Sequence, residues 1–555
     1  MLPDRQYAVE LYGPGQLRLV SDKPVPRPGP YEIVAKVEAV GLCFSDLKLL
    51  KQFSQHPRKG RIICGLDPEV LRQVQSYRPD ELPSVPGHEA ACIIVAVGEK
   101  VTCCKVGRRV LVQTDYRWLP TNGSNAAFGY NLEGALQQYV CMDQRVITDP
   151  ASGQSMLIPV SEDLSASAVA LVEPWACVES SYASRNRQRI LPSGRLLVWV
   201  DKGHRAIGLE GCLDPDGLPS QVYWHTEEGT MPGPLAKINA MQIESLQTIS
   251  NLAFDDIIYY GHSGPVIEQL GERLNHGGII NMVLGGKRIG QQVSVGVGRV
   301  HYSGTRWIGT LGEDAADAYR SIPADGQVHA GDRAVIIGAA GPMGQMHVIR
   351  LICSGLEGLT IVGTDIDPNR LSYLQKKAGP LAARHNMALD LVDTSKRPLT
   401  GSFDYIVVMV PVPNLVQQAV ELSTIGTRIN IFAGIPAQTN CQLDLDRYIV
   451  NRCYMFGTSG STISDMLIVL EKLTSGRLDT NVSVDAIAGM AGAIDGIKAV
   501  EDRTLAGKII VYPAKPELPL IPLEQLGQAL PQVGTRLAEG IWTKAAEQAL
   551  LGLLT

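Results

Sequence analysis

The feature that most constrains this 555-residue chain is a repeat inside it. Phe254-Asp-Asp-Ile-Ile-Tyr-Tyr matches Phe403-Asp-Tyr-Ile-Val-Val-Met, and Gly277-Gly-Ile-Ile-Asn-Met-Val-Leu-Gly285 matches Gly426-Thr-Arg-Ile-Asn-Ile-Phe-Ala-Gly434. Both pairs are offset by 149 residues, and Trp307-Ile-Gly-Thr310 matches Met455-Phe-Gly-Thr458 at 148. Apolar strands alternate with helical patterns throughout this region, the signature of βαβ units around a parallel sheet. The same doubly wound unit is therefore expected twice, beginning at Gly194-Arg-Leu-Leu-Val-Trp-Val and at Gly331-Asp-Arg-Ala-Val-Ile-Ile. Two generic strands with turn glycines would not also share the Phe-Asp, Asn and Gly-Thr positions.

The copies differ at their first turn. In the second, Gly338-Ala-Ala-Gly-Pro-Met-Gly344 follows the strand Ala334 to Ile337 and opens a helical run, Gln345 to Ile352. Glycines there let a pyrophosphate approach the backbone, and the helix N-terminus supplies N–H donors. Ala339, Gly341, Pro342, Met343 and Gly344 are the candidate phosphate-turn residues. Gly341 and Gly344 fill the second and third fingerprint positions, while Ala339 stands at the first, a departure. The strand Leu359-Thr-Ile-Val-Gly-Thr ends at Asp365, 21 residues after Gly344. A carboxylate there accepts from a ribose 2′-OH and repels a 2′-phosphate, so NAD is expected over NADP. Arg370 is the nearby residue that would serve NADP. The alternative is a purely structural glycine turn with a surface Asp. The first copy runs Asp201-Lys-Gly-His-Arg-Ala-Ile-Gly at this turn, with no paired glycines, and has His225 or Thr226 near the acidic position. It is expected not to bind a dinucleotide.

Residues 7–180 have a different texture: short strands between Gly/Pro turns, such as Tyr31 to Val40, Ala91 to Val97, Val106 to Val112 and Ala135 to Val140. A mostly β, barrel-like domain is expected, with a helix over Asp67 to Tyr77. The fold class is therefore α/β plus all-β. The expected domains are 1–187, a first part of the β domain; 188–325, a doubly wound copy without the fingerprint; 326–475, the dinucleotide-binding copy; 476–513, a return to the β domain ending in Lys508 to Tyr512; and 514–555, a Pro-rich linker followed by a helix, Thr535 to Leu554. Net charge is −6 with both signs interspersed, so there is no basic footprint for nucleic acid or an anionic membrane. Eleven cysteines form no framework, the N-terminus has no apolar signal core, and no run approaches 18 apolar residues. A reduced, cytoplasmic setting is the expectation.

Two motifs in the β region carry chemistry: Gly41-Leu-Cys43-Phe-Ser45-Asp46 and Pro86-Gly-His88-Glu89. A thiolate, an imidazole and carboxylates suit zinc. Taken singly, Cys43 reads as a buried apolar residue and His88 as a satisfied core histidine; together they read as a metal site with proton-handling groups beside it.

These motifs, with Val97-Gly-Glu-Lys-Val, Val106-Gly-Arg-Arg-Val, Glu133-Gly-Ala-Leu-Gln-Gln-Tyr-Val, Leu171-Val-Glu-Pro174, the dinucleotide turn and Gly507-Lys-Ile-Ile-Val-Tyr-Pro513, resemble the zinc-containing medium-chain dehydrogenase/reductase superfamily. Leu-Val-Glu-Pro is similar to the sorbitol/threonine dehydrogenase branch, and some bacterial sugar-phosphate reductases, such as L-sorbose 1-phosphate reductase, look similar. The resemblance implies a GroES-like β-barrel catalytic domain with tandem Rossmann-like domains. It implies one catalytic zinc on Cys43, His88 and Glu89, with Glu173 as a further ligand or holding the zinc-bound water. Ser45 would pass a hydroxyl proton outward and Asp46 would orient His88. Cys177 is not expected to be a ligand. Where many relatives have a relay His, this chain has Lys48, which could pass a proton or bind an anionic substrate. The family's four-cysteine structural zinc loop is absent, since residues 111–133 contain no Cys.

The implied activity is hydride transfer between NAD(H) and a secondary alcohol or ketone of a polyol, sugar or sugar phosphate. The alternatives are an NADP-dependent reductase of small aldehydes or ketones and a non-catalytic NAD-binding scaffold. The basic loop Gln55-His-Pro-Arg-Lys-Gly-Arg61 reads as a solvated loop or as a phosphate site. Relatives commonly dimerise through late strands of this domain, so the first copy is expected to mimic a partner subunit, pairing strands near Arg306 to Gly309 and Tyr454 to Gly457. A monomer with this internal pseudo-dimer, or a homodimer, follows.

Overall fold

A computed structural model describes residues 2–227, 240–248 and 253–553. The chain forms two compact units, Met1–Glu179 with Gly460–Thr555, and Ser180–Ser459. Residues 460–475 thus group with the first unit, ahead of the return expected at 476.

The first unit is built on an eight-stranded, mostly antiparallel sheet. Its order is Ile521–Pro522, Val484–Ala488, Lys508–Val511, Glu32–Gly41, Glu89–Val97, Arg109–Val112 and Leu157–Pro159, with Tyr139–Asp143 also pairing Glu32–Gly41. The strand read over Ala135 to Val140 begins later, at Tyr139. The expected helix Asp67 to Tyr77 is only Pro68–Gln73, because Asp67 caps its start and Val74 turns extended. The tail is not one helix from Thr535. Glu539 and Gly540 adopt positive φ and break it, leaving Lys544–Gly552, while Leu523–Ala529 and Pro531–Gly534 are helices where a linker was expected. Leu554 lies outside the described residues. The tail docks through Glu547, whose buried carboxylate accepts from the Ala166 and Ser167 amides (2.6 and 2.9 Å) and from the Tyr512 hydroxyl (2.9 Å).

The second unit contains two six-stranded parallel sheets of identical topology. One runs Ala240–Gln242, Gln221–Thr226, Arg195–Val200, Phe254–Tyr260, Leu274–Val283, Arg306–Thr310; the other runs Ala388–Asp393, Thr360–Asp365, Arg333–Ile337, Phe403–Val408, Ser423–Ile431, Tyr454–Phe456. The strand orders agree position for position, as the repeat requires. One continuous apolar cluster spans both copies, joining Val295, Val300 and Trp307 to Leu443, Tyr448 and Met455.

The copies meet about an internal two-fold. Val293–Val295 pairs antiparallel with Cys441–Leu443: Val293 faces Leu443, Ser294 faces Gln442, and Val295 faces Cys441. At the 148-residue offset Gln442 is the counterpart of Ser294, and the outer two pairs are exchanged counterparts. That is the rule of an isologous interface, here inside one chain. The strands expected to pair do not. Arg306–Thr310 and Tyr454–Phe456 are outer strands of separate sheets, with no ladder between them. Tyr448 and Ile449 project into the seam instead. The Tyr448 hydroxyl donates to the Trp307 carbonyl (2.9 Å) and accepts from the Met455 amide (2.8 Å), while Gly309 leaves the space Ile449 fills. The ladder between copies lies one strand earlier than expected. Among the described residues no helix is long and apolar enough to cross a membrane.

Candidate metal centre and dinucleotide turn

Strand register assembles the metal motifs. Gly41 lies opposite Glu89 on one side and opposite Ile510 on the other. The Leu42 amide continues this to the Ile509 carbonyl (3.0 Å). Cys43 then caps the helix Phe44–Gln52, putting Ser45 and Asp46 in its first turn. Residues 43, 88–89 and 508 therefore converge although far apart in sequence.

Cys43 Sγ, a His88 ring nitrogen and a Glu89 carboxylate oxygen all lie within 4.8 Å of one another. Asp46 ties the group together: one oxygen accepts from the Cys43 amide (3.0 Å) and the other faces His88 Nδ1 (3.1 Å). In its neutral form, with Nδ1–H donated to Asp46, His88 turns the Nε2 lone pair inward, beside Ser45 Oγ at 3.1 Å. Ser45 Oγ also donates to Cys43 Sγ (3.1 Å). Burial opposes a charged His88, but Tyr130 and Asp46 outweigh it and raise its pKa.

Glu89 is held by a group the motifs do not reveal. Lys508 Nζ is ion-paired to Glu89 Oε1, both side chains being buried. Burial alone would lower the Lys508 pKa; the Glu89 and Cys43 charges raise it instead. Gly41 permits the pair, because a Cβ there would collide with Glu89 Oε2. That oxygen is buried with no hydrogen-bond partner. An orphaned carboxylate oxygen beside a thiol and an imidazole nitrogen suits a zinc ion. Glu173 lies outside the three-atom group. Burial pushes its carboxyl up to about 7, against the pull of His88 and with the push of Glu89 and Asp115. Cys177 Sγ sits 3.8 Å from Glu173 Oε1, its thiol raised by burial.

Lys48 is exposed on the helix that starts at Cys43. Tyr130 lies beside the site, its ring 5.6 Å from that of His88 and 5.1 Å from that of His56. Sequence reasoning missed Tyr130, Asp115 and the role of Lys508. Only the Gly507-Lys508 dipeptide gave any signal, and no spacing rule joins positions 419 apart.

The dinucleotide turn lies in the second unit. Gly341 caps the helix Pro342–Ile352, and a Cβ on it would meet only an Arg370 Nη2, at 3.9 Å. Packing does not demand glycine there, and the space is what a pyrophosphate needs. Gly344 is different: a Cβ would strike the Gly338 carbonyl and Ala339, so it lets helix pack on strand. Asp365 ends its strand with Oδ2 at 3.3 Å from the Ala340 amide. Arg370 is half-buried with an unpartnered Nε. In the other copy, register places Asp201 where Ala339 stands, and the helix that follows is only Leu209–Cys212. Asp201 is bonded to Trp199 Nε1 (3.1 Å) and the Tyr259 hydroxyl.

Residues 29–150 match the Alcohol dehydrogenase GroES-like domain. Sorbitol dehydrogenase of Sus scrofa is 35% identical over 99 residues, which cover 18% of this chain and 80% of that sequence. The chain belongs to the medium-chain dehydrogenase/reductase superfamily. Among other members, the uncharacterised protein YggP of Escherichia coli is 30% identical over 244 residues, 40% of this chain and 57% of YggP. L-sorbose 1-phosphate reductase of Klebsiella pneumoniae is 28% identical over 234 residues, 39% of this chain and 54% of the reductase. The matched stretches thus span a little over half of these two relatives. In fold the chain is similar to 2R,3R-butanediol dehydrogenase from Bacillus subtilis, with a TM-score of 0.52 at 16% identity over 92% of this chain and 99% of that one.

Proposed function

We propose that this dehydrogenase/reductase superfamily member is a zinc- and NAD-dependent oxidoreductase. It transfers a hydride between NAD(H) and a secondary alcohol or ketone of a polyol, sugar or sugar phosphate. The observation that carries this reading is the Cys43, His88, Glu89 cluster with the orphaned Glu89 oxygen. Sorbitol dehydrogenase and L-sorbose 1-phosphate reductase among the relatives support the substrate range.

Zinc, when bound, supplies Lewis acidity that eases loss of a substrate hydroxyl proton. The chain's residues do the rest. Cys43, His88 and Glu89 would hold the ion, and Asp46 fixes the His88 tautomer. Ser45 Oγ, between Cys43 Sγ and His88 Nε2, accepts the hydroxyl proton and hands it outward. Lys48, three positions on along the same helix, continues that path or meets a negatively charged substrate. Glu173, whose proton is loosely held near neutrality, is a second acceptor. In the other unit Gly341 and the helix it caps receive the pyrophosphate, and Asp365 the adenosine ribose.

The eleven free thiols support a reducing, cytoplasmic setting. The internal two-fold supports a monomer whose pairing face is used within the chain. Arg370 beside Gly341 favours one second reading, NADP in place of NAD. A test combines zinc content of the purified protein, fluorescence titration with NADH and NADPH, and a turnover screen over polyols and sugar phosphates. One zinc per chain, tighter NADH than NADPH and turnover of a polyol or its phosphate are expected. Bound zinc and NADH without turnover of any of them would leave the scaffold reading.

A further inference from the structure

The loop after the metal-site helix carries a largely buried arginine with a single ion-pair partner among the described residues. Arg58 Nη1 lies 2.8 Å from Asp115 Oδ1, but without hydrogen-bond geometry: that oxygen has no hydrogen-bond partner, and no guanidinium N–H of Arg58 makes a hydrogen bond among the described residues. The side chain is only 25% exposed. It lies over the Tyr130 ring at 5.4 Å, and Tyr130 in turn packs beside His88. Tyr130 thus links Arg58 to the metal centre. A three-quarters-buried guanidinium ion-paired to one carboxylate keeps N–H donors for a further acceptor group.

Two further donors stand with it. His56 Nδ1 accepts from the Arg58 amide (3.2 Å), which leaves Nε2 to carry the proton. Burial, with the Arg58 and Lys48 charges, holds the imidazole down at about 4, neutral but a donor; Lys48 stands on the helix Phe44–Gln52 that leads into this loop. The Lys48 side chain is exposed. Asp115 offsets the Arg58 charge.

We propose that Arg58, His56 and Lys48 form a subsite for a phosphate monoester, so that the substrate of the neighbouring metal centre is a phosphorylated polyol or ketose. This rests on the oxidoreductase reading above and narrows it. Three donors of different origin suit the three free oxygens of a phosphate better than the two of a carboxylate.

The test compares glucitol 6-phosphate, glucitol and gluconate with the zinc-loaded enzyme and NAD, using wild type, Arg58→Gln and Arg58→Lys. Wild type is expected to prefer the ester by kcat/KM over both others. Arg58→Gln is expected to cut that preference on the order of ten- to a hundred-fold through KM, with Arg58→Lys recovering part. Equal kcat/KM for glucitol and its phosphate, a preference for gluconate, or an unchanged preference in Arg58→Gln would overturn the subsite. If none is turned over, the oxidoreductase reading is what suffers, and calorimetric titration with inorganic phosphate still decides the subsite. Binding by wild type that Arg58→Gln loses, with zinc content unchanged, supports it; no binding by wild type refutes it.

Discussion

Gly41 is the residue on which the metal centre's geometry turns. Its missing side chain lets the Glu89 carboxylate pass over the strand to Lys508. Gly41→Ala is expected to displace Glu89 and weaken zinc binding at least about tenfold, read by competition with a chromogenic chelator. Asp46→Asn should weaken it about 10- to 100-fold through loss of His88 orientation. Lys508→Met strands a buried carboxylate and should cost about 3–5 kcal/mol in denaturant unfolding of the zinc-free protein, part of which Glu89→Gln in the same chain restores. A full-sized loss that Glu89→Gln leaves untouched would show that the pair is not the cause.

Elements supply the site's rigidity, and two of them carry buried carboxyls with opposite roles. Asp485, in the strand Val484–Ala488, is pushed up to about 7 by burial, against donation from the Gly507 amide at 2.6 Å. Its folded pKa exceeds its unfolded value near 4. Between those values the unfolded chain holds fewer protons than the folded one, so stability falls as pH rises across the window and levels off above it. The effect is at most about 4 kcal/mol, and Asp485→Asn should flatten the slope of denaturant midpoint against pH there. Glu547, by contrast, is bonded to two amides and a hydroxyl and joins the helix Lys544–Gly552 to the start of Ala166–Ala170. Glu547→Ala should cost about 2–4 kcal/mol by leaving those donors buried and unpaired. A change below 0.5 kcal/mol, measured by the same unfolding, would mean that the tail docks by its apolar face alone.

At the scale of the molecule, the second unit behaves as a dimer folded into one chain. A single apolar cluster and one antiparallel ribbon join its copies, so they should unfold together. Tyr448→Phe removes the hydroxyl that bridges Trp307 and Met455 and should cost about 1–3 kcal/mol, lowering hydrogen-exchange protection in both copies alike. Loss confined to one copy would show that they are separate cooperative units. With the pairing face used internally, sedimentation should report a single 59.9 kDa chain.

The repeat, most of the strands and the residue types of both sites were legible in the sequence, because periodicity and turn glycines are local properties. Cys43, His88 and Glu89 were legible as motif members, and Asp46 as the partner of His88. Lys508 as the partner of Glu89, Arg58 beside Tyr130 and the ladder at Ser294 and Gln442 were not. Each depends on strand register or on a side chain crossing from another element, and neither leaves a mark in nearby sequence. The tail shows the same limit: its pattern announced a linker and one helix from Thr535, whereas the buried Glu547 carboxylate takes donors brought from residues 166, 167 and 512.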